Sequence, residues 1–221
     1  MNAQLDQTQP DENTKRLNIR VDSSLRIGSG HVSRCIAIAE EAVSLGHRVR
    51  FLFRDLVGSR TEAMVAKNFE CLILDREVNF EEHLGPIETL WPVGEQVRDA
   101  RTIQRLLSAN ENEILLVDHY GLGESFLQHL RESWVSNRLC TIHDFESSSC
   151  TSFCIHPGIS SPSSIASKIA EGNNGTPYLL SQSMVPLSKA VRNSKKQEHL
   201  NDLDENREEF RVFIDFGTSK V

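Results

Sequence analysis

The sequence of 221 residues contains no apolar run long enough to cross a bilayer, and its first 14 residues are polar and acidic. We therefore expect neither a membrane span nor a secretory signal, and we predict that residues 1–14 are a disordered tail. An excess of basic residues is also missing, since the formal net charge is −7 and no basic stripe offsets it. These absences predict a cytoplasmic protein that binds neither nucleic acid nor membrane.

Paired cysteine motifs are absent as well. The five cysteines are an odd number and include no C-x-x-C pair, so a reducing compartment is the simplest location. Cys150 and Cys154, with His143 or His156 nearby, are an alternative metal site that their spacing does not favour. We expect no metal and no cofactor. The remaining thiols stand inside apolar patterns and are predicted to be buried: Cys35, Cys71 and Cys140.

A glycine turn stands early in the chain, at Gly28-Ser29-Gly30, directly before His31. Apolar residues alternate with polar ones over residues 17–21, and from Val32 onward they recur at helical spacing. Glycine lets backbone N–H groups approach a ligand, and a helix N-terminus offers unpaired donors that suit an anion. The turn lacks the third glycine of the dinucleotide fingerprint and the lysine of a P-loop. The competing interpretation is a tight turn in which His31 caps the helix.

The rest of the chain continues the alternation of strand and helix patterns. Strands are predicted at residues 17–22, 48–53, 70–74, 113–117 and 139–142, with shorter candidates at 153–155 and 178–180. Helices are predicted at residues 59–69, 93–109 and 124–135, with Val65, Val97 and Leu106 among the inward side chains. This predicts an α/β fold, a Rossmann-like parallel sheet with helices on both faces and the first strand central.

In such a sheet, ligands bind beyond the carboxyl ends of the strands. The polar residues expected there are Asp22 and His31 after the first strand, Asp118 and His119 after the fourth, and Asp144 after the fifth. Asp and His at strand ends also serve as turn formers and caps, which is the alternative for each of them.

Charge and strand patterns divide the chain into predicted units. Residues 15–193 are predicted to be one Rossmann-like domain, and the strongly charged residues 194–209 a linker. Residues 210–221 contain a new strand and turn, and we expect them to be the truncated start of a second domain. A separate protein with that C-terminal domain is therefore an expected partner.

Two stretches resemble a known family. The string R-x-D-S-S-x-x-I-G-S-G-H-V-x-R-C at residues 20–35 resembles the opening of the nucleotide-sugar hydrolases of pseudaminic acid biosynthesis. These are the UDP-2,4-diacetamido-2,4,6-trideoxy-β-L-altropyranose hydrolase and its relatives. Asp118-His119-Tyr120-Gly121 is similar to the family's strand that ends in Asp-His-Tyr. Three further patches match less well. Asp144 stands where the family has two aspartates, and residues 178–180 are not followed by the family's arginine. Residues 213–219 resemble a strand of the family but lack the Gly-Gly and the acidic residue that follow it.

The resemblance implies a GT-B-like enzyme, with two Rossmann-like domains facing a cleft, of which this chain holds the N-terminal one. Water would attack the anomeric carbon of a UDP-sugar without a metal, and His31 would be the general base. A neutral imidazole can take that proton, and a helix N-terminus disfavours the imidazolium. The substrate-binding residues that we predict are Asp22, Gly28, Ser29, Gly30, Arg34, Asp118, His119, Tyr120 and Asp144.

Three alternatives stay open. A GT-B glycosyltransferase would hold a sugar hydroxyl where the hydrolase holds water. An inactive remnant or a half-enzyme would keep the glycine turn without its partner domain. Arg34, one turn into the helix, either assists at the site or is a solvated surface cation.

Overall fold

The computed structural model describes residues 14–74, 90–107, 112–132, 138–142, 153–156 and 178–180. The strands are β1 (Arg16–Val21), β2 (Arg48–Phe53), β3 (Glu70–Ile73), β4 (Glu113–Asp118), β5 (Leu139–Ile142), β6 (Phe153–His156) and β7 (Tyr178–Leu180). The helices are α1 (Gly30–Ser44), α2 (Thr61–Val65), α3 (Val93–Leu106) and α4 (Glu124–Arg131). The predicted linker and second-domain start, and residues 1–13 of the predicted tail, lie outside the described residues.

The seven strands form one parallel sheet in the order β3-β2-β1-β4-β5-β6-β7. The predicted α/β class is confirmed, and β1 lies inside the sheet between β2 and β4. The chain runs outward from β1 to β3 and then returns to place β4 on the other side of β1. In doubly wound sheets the ligand crevice opens at this switch point, outside the carboxyl ends of β1 and β4.

Alternation along the strands divides the core into two layers. Ile19 and Val21 of β1 pack with Val32 and Cys35 of α1 on one face of the sheet. Leu115 of β4 belongs to the second layer, which includes side chains of α3 and α4. Helices therefore cover both faces, as the sequence pattern predicts. We call these the α1 face and the α3 face. No helix among the described residues is long and apolar enough to cross a membrane.

Several local predictions are wrong. The second helix is shorter than residues 59–69, because the chain turns after α2 and Asn68 adopts a left-handed φ of 59°. Val65 and Leu106 point outward, with exposed fractions of 55% and 44%. On α3 the buried positions include Gln96 and Asp99 beside the apolar side chains, because polar groups beneath the helix bind these two. Periodicity of apolar residues alone cannot detect such a face.

The thiols differ in their burial. Cys35 is buried, as predicted, whereas Cys71 and Cys140 are only partly buried. Cys71 lies on β3, which is one of the two edge strands of the sheet as far as the described residues form it.

Candidate functional site

The turn between β1 and α1 is organised by Ser24. Its hydroxyl oxygen accepts hydrogen bonds from the N–H groups of Arg26 and Ile27 at 3.1 and 3.0 Å. Its carbonyl accepts the N–H of Gly28 at 2.9 Å, and Gly28 has a φ of +79°, a conformation that favours glycine. These bonds close the turn and direct the chain into α1.

The start of α1 is exposed at Gly30. Ser29 is the residue before the helix, and its side chain makes no capping hydrogen bond. The first N–H groups of the helix have no partner within the helix itself. A Cβ atom added at Gly30 would meet nothing within 4 Å, so the packing of the described residues does not require a glycine at this position.

His31 binds a carboxylate on the neighbouring strand. Asp118 is the last residue of β4 and lies beside Val21 in the sheet register. Its Oδ1 is 2.6 Å from Nδ1 of His31. Arg34, one turn further along α1, donates to both oxygens of Asp118, with Nε at 2.5 Å and Nη2 at 2.5 Å. The side chain of His31 therefore reaches across to β4 and does not cap its own helix.

Asp118 is an ionised carboxylate. Burial would raise its pKa, but the hydrogen bonds from Arg34 and His31 outweigh burial and hold the pKa at about 2. The same carboxylate lies 3.4 Å from Sγ of Cys35, and burial together with this negative charge raises the pKa of the thiol well above its ordinary value. Cys35 is thus a neutral, packed thiol.

This pairing fixes the tautomer of His31. An ionised carboxylate can only accept hydrogen bonds, so Nδ1 carries the hydrogen and donates it to Asp118. Nη2 of Arg34 lies 3.1 Å from the same nitrogen because both groups bind the same oxygen. Nε2 is therefore the nitrogen that can accept a proton when the ring is neutral, and it makes no hydrogen bond with the part of the chain that the structure describes. Tyr120 packs edge-on against the ring, with centroids 4.4 Å apart.

A second polar group, the Arg20 cluster, is buried on the α3 face. It consists of Arg20, Asp22, Arg54, Asp99 and His119. Asp22 accepts two hydrogen bonds from Arg20, at 2.5 and 2.8 Å, and one from the backbone N–H of Arg54 at 2.8 Å. Asp99 of α3 accepts bonds from both arginines at 2.9 to 3.0 Å. The two arginine charges and the two aspartate charges balance within the cluster.

Burial and ion pairs act in opposite directions on the pKa values of this cluster. Burial would raise the pKa of Asp22, yet Arg20 and His119 lower it well below the ordinary range. Burial would lower the pKa of Arg20, yet Asp22 and Asp99 raise it. Burial lowers the pKa of His119, although Asp22 partly opposes this. The cluster therefore consists of ion pairs around a neutral imidazole.

The hydrogen bonds of His119 define its tautomer. Nδ1 accepts the backbone N–H of Gly121 at 2.9 Å, so the hydrogen is on Nε2. Nε2 lies 3.1 Å from Oδ2 of Asp22 and donates to it. The ring of Trp91 packs edge-on against the imidazole at 4.4 Å, and the guanidinium of Arg54 lies 5.0 Å from that indole. His119 is a turn former, which is the alternative that strand-end histidines allow.

The predicted site residues thus fall into two groups. His31, Arg34, Asp118 and Tyr120 come together on the α1 face, beside the Gly28-Ser29-Gly30 turn. Asp22 and His119 lie on the α3 face with their side chains buried. Arg34 is not a solvated cation, since 17% of its side chain is exposed and it binds Asp118. Asp144 lies outside the described residues.

Sequence reasoning missed the partners of the Arg20 cluster. Arg20 belongs to the quoted string, but Asp99, which it binds, lies on α3, and Arg54, which also binds Asp99, directly follows β2; neither shares a motif with Arg20. Charged residues inside apolar patterns were the available signal, since both Arg20 and Asp99 interrupt such patterns. Among the described residues, no group of three or more His, Cys, Asp or Glu side chains could hold a metal ion. Cys150 and His143 lie outside the described residues, as do the side chains of Cys154 and His156.

Comparisons with protein-family models and with curated proteins found no match to this chain. A neutral imidazole, oriented by a buried carboxylate at the switch point of a doubly wound sheet, can accept a proton at Nε2.

Proposed function

We propose that this chain supplies the base of a UDP-sugar hydrolase, in which water attacks the anomeric carbon and releases UDP and a free sugar. Nε2 of His31 accepts the proton of the attacking water. The observation that supports this best is the 2.6 Å contact between Nδ1 of His31 and the ionised Asp118, which leaves Nε2 as the nitrogen that can accept a proton. We further propose that this hydrolysis is a step in a biosynthetic pathway of the pseudaminic acid type. This part of the proposal rests on the resemblance of residues 20–35.

The roles of the neighbours follow from their charges. Asp118 remains ionised and faces the imidazolium that forms when His31 accepts a proton, so it stabilises that cation. Arg34 holds both carboxylate oxygens at 2.5 Å and prevents the carboxylate from rotating away from the ring. Tyr120 limits the tilt of the imidazole through its edge contact. Positioned general bases of this kind typically contribute about 10²–10⁴-fold in rate.

The stereochemistry of the reaction assigns the sugar to the space beside α1. In a one-step displacement the water and the leaving group occupy opposite faces of the sugar ring. The diphosphate must therefore lie on the far side of the sugar from His31. The N–H groups at the start of α1, and the open space at Gly30, suit hydroxyl or amide oxygens of the sugar itself. In the GT-B-like arrangement that the resemblance implies, a second domain or a separate partner holds the uridine diphosphate.

The proposal is tested by incubating the protein with UDP-2,4-diacetamido-2,4,6-trideoxy-β-L-altropyranose in H₂¹⁸O. We expect UDP release, with the label in the free sugar, because the water attacks carbon. Label in UDP would mean attack on phosphorus and would exclude the proposed role of His31. A parallel reaction with sugar acceptors separates hydrolysis from glycosyl transfer. Absence of turnover, with the chain alone and with a supplied C-terminal domain, would favour the remnant hypothesis.

Replacement of the base gives the first mutational prediction. His31→Ala should reduce UDP release by roughly 10²–10⁴-fold. Because the ring is buried and bonded to Asp118, we also expect some loss of melting temperature, and both variants are assayed well below their melting temperatures. His129→Ala is the matched control, since His129 is a half-buried histidine on α4 that binds the carbonyl of Ser125. Equal activity of the His31 variant and the control would remove His31 from the mechanism.

A further inference from the structure

The turn after β4 connects the two polar groups. Asp118 and Tyr120 both contact His31 on the α1 face, at 2.6 Å and at a ring distance of 4.4 Å. His119 stands between them in the chain and points to the α3 face, where it belongs to the Arg20 cluster. The backbone of one short turn therefore joins two neighbours of His31 to a residue that points to the α3 face.

This turn is held from the α3 face by directional bonds. The N–H of Gly121 donates to Nδ1 of His119 at 2.9 Å, and the carbonyl of Gly121 accepts the N–H of Trp91 at 2.9 Å. The N–H of Gly123 donates to Oε1 of Gln96 at 3.0 Å. Gln96 in turn donates to the carbonyl of Trp91 at 2.7 Å. Both peptide groups of Gly121 are thus fixed by the residues on the α3 face.

The imidazole of His119 is itself fixed. Its Nε2 donates to Asp22, which the ion pair with Arg20 and the N–H of Arg54 hold in place. The edge contact with Trp91 and the burial of the ring leave it no room to rotate. The hydrogen bond to Gly121 is therefore a fixed connection between the ion pairs and the turn.

We propose that His119 is a positioning residue: its ring holds the turn at Gly121 and thereby keeps the carboxylate of Asp118 against Nδ1 of His31. The geometry of His31 does not depend on the proposed hydrolysis, and only the effect on catalysis rests on that function. The proposal predicts that changes on the α3 face alter the tautomer of a histidine on the other face.

Two amide variants separate the two bonds of His119. In His119→Asn the amide oxygen lies about where Nδ1 was and can accept the N–H of Gly121, since asparagine forms such bonds to its own backbone two residues on. In His119→Gln the longer side chain places its amide near the former Nε2, so it keeps Asp22 and leaves Gly121 without its acceptor. The control is Ile103→Val, which creates a small cavity at α3 and alters neither hydrogen bond of His119.

The readout is the ¹⁵N spectrum of the His31 ring in the full chain, together with the melting temperature. We expect the Nδ1–H form in the wild type, in His119→Asn and in Ile103→Val, and a mixture of the two neutral tautomers in His119→Gln. A His119→Gln protein that is folded and keeps the wild-type His31 spectrum would overturn the proposal. An equal change in His119→Asn would also overturn it, because the bond to Gly121 would then not be the connection.

Activity separates this inference from the proposed function. If the chain hydrolyses the UDP-sugar, kcat should fall at least 10-fold in His119→Gln with KM little changed, and His119→Asn should retain most of the wild-type kcat. If no hydrolysis occurs but the His31 spectrum changes as expected, the positioning role stands and the proposed function fails.

Discussion

Replacing Asp118 by asparagine tests the central pair of the site. Asp118→Asn keeps the shape of the side chain, but it removes the charge and places an NH₂ group where one oxygen faced the donors of Arg34. Arg34 loses one of its two hydrogen bonds to the side chain at position 118. The amide oxygen of the asparagine can face either Arg34 or His31, but not both. His31 then loses the group that fixes its hydrogen on Nδ1.

The pKa of Asp118 sets the magnitude. The pKa is lowered from 3.8 to about 2, and one pKa unit corresponds to about 1.4 kcal/mol, so the fold favours the carboxylate over its protonated form by about 2 kcal/mol. Breaking a fully buried pair costs about 3–5 kcal/mol, but here 17% of the Arg34 side chain is exposed and water can reach it. We therefore expect Asp118→Asn to lower the free energy of unfolding by about 2–3 kcal/mol at pH 7.

The pH dependence gives this prediction a specific signature. Because the folded pKa lies below the unfolded value, the carboxylate contributes its full stability above about pH 4 and loses it as the pH falls toward 2. The difference in unfolding free energy between wild type and Asp118→Asn should therefore shrink over this range. Urea denaturation at several pH values measures it, with the exposed Glu132→Gln as control, for which we expect a change within about 0.5 kcal/mol. A difference that is absent at pH 7, or constant down to pH 2, would refute this reasoning.

The remaining predictions concern the turns and His119. Gly30→Ala should leave the melting temperature unchanged because the added Cβ meets nothing within 4 Å. A loss of hydrolysis in this variant would show that substrate approaches the backbone at Gly30, and full activity would exclude that approach. Gly121→Ala should lower the free energy of unfolding by about 1–3 kcal/mol in urea denaturation, because its Cβ would lie 2.3 Å from atoms of the Trp91 ring. The control is Gly94→Ala, where an added Cβ meets nothing within 4 Å. Equal stability of the two variants would contradict the packing of Gly121 against Trp91. Since burial lowers the pKa of His119 below its ordinary 6.5, the unfolded chain binds this proton first as the pH falls, and stability should fall as the pH drops through about 6.5. His119→Asn should show a smaller fall over the same range, and an equal slope would refute this role of the histidine.

The sheet was predictable because it depends on local patterns. Strands of β-branched residues alternating with amphipathic helices leave few topologies, and right-handed crossovers determine which face each helix covers. The position of His31 at the start of α1 follows from the same patterns, since a glycine turn between a strand and a helix must lie at the carboxyl end of β1. The contact of His31 with Asp118 was only partly predictable: the topology brings the ends of β1 and β4 together, but not one side chain to another.

The division of the site between two faces was not foreseen. Asp22 and Asp118 both follow strands and were grouped together, yet Asp22 continues the alternation of Asn18 and Arg20 and so faces α3, whereas Asp118 faces α1. The number of residues between two positions on a strand predicts which face each one occupies, because successive side chains point to opposite faces of the sheet. The burial of Asp99 could not be predicted in this way, since it depends on a charge 79 positions earlier in the chain.

Stability alone does not explain the Arg20 cluster. Apolar residues of similar volume stabilise a core about as well as buried ion pairs, and often better, because the charges lose their hydration. Ion pairs and hydrogen bonds differ from apolar contacts in being directional, and those of the cluster connect the ends of β1, β2 and β4 with α3. A general base must be held within about 0.5 Å of its productive position, and directional bonds contribute to this together with the packing of the side chain. Replacing Arg20 and Asp99 alone by apolar residues would leave the buried charges of Asp22 and Arg54 without these partners and should destabilise the fold, so His119→Gln is the sharper test of how the turn is held.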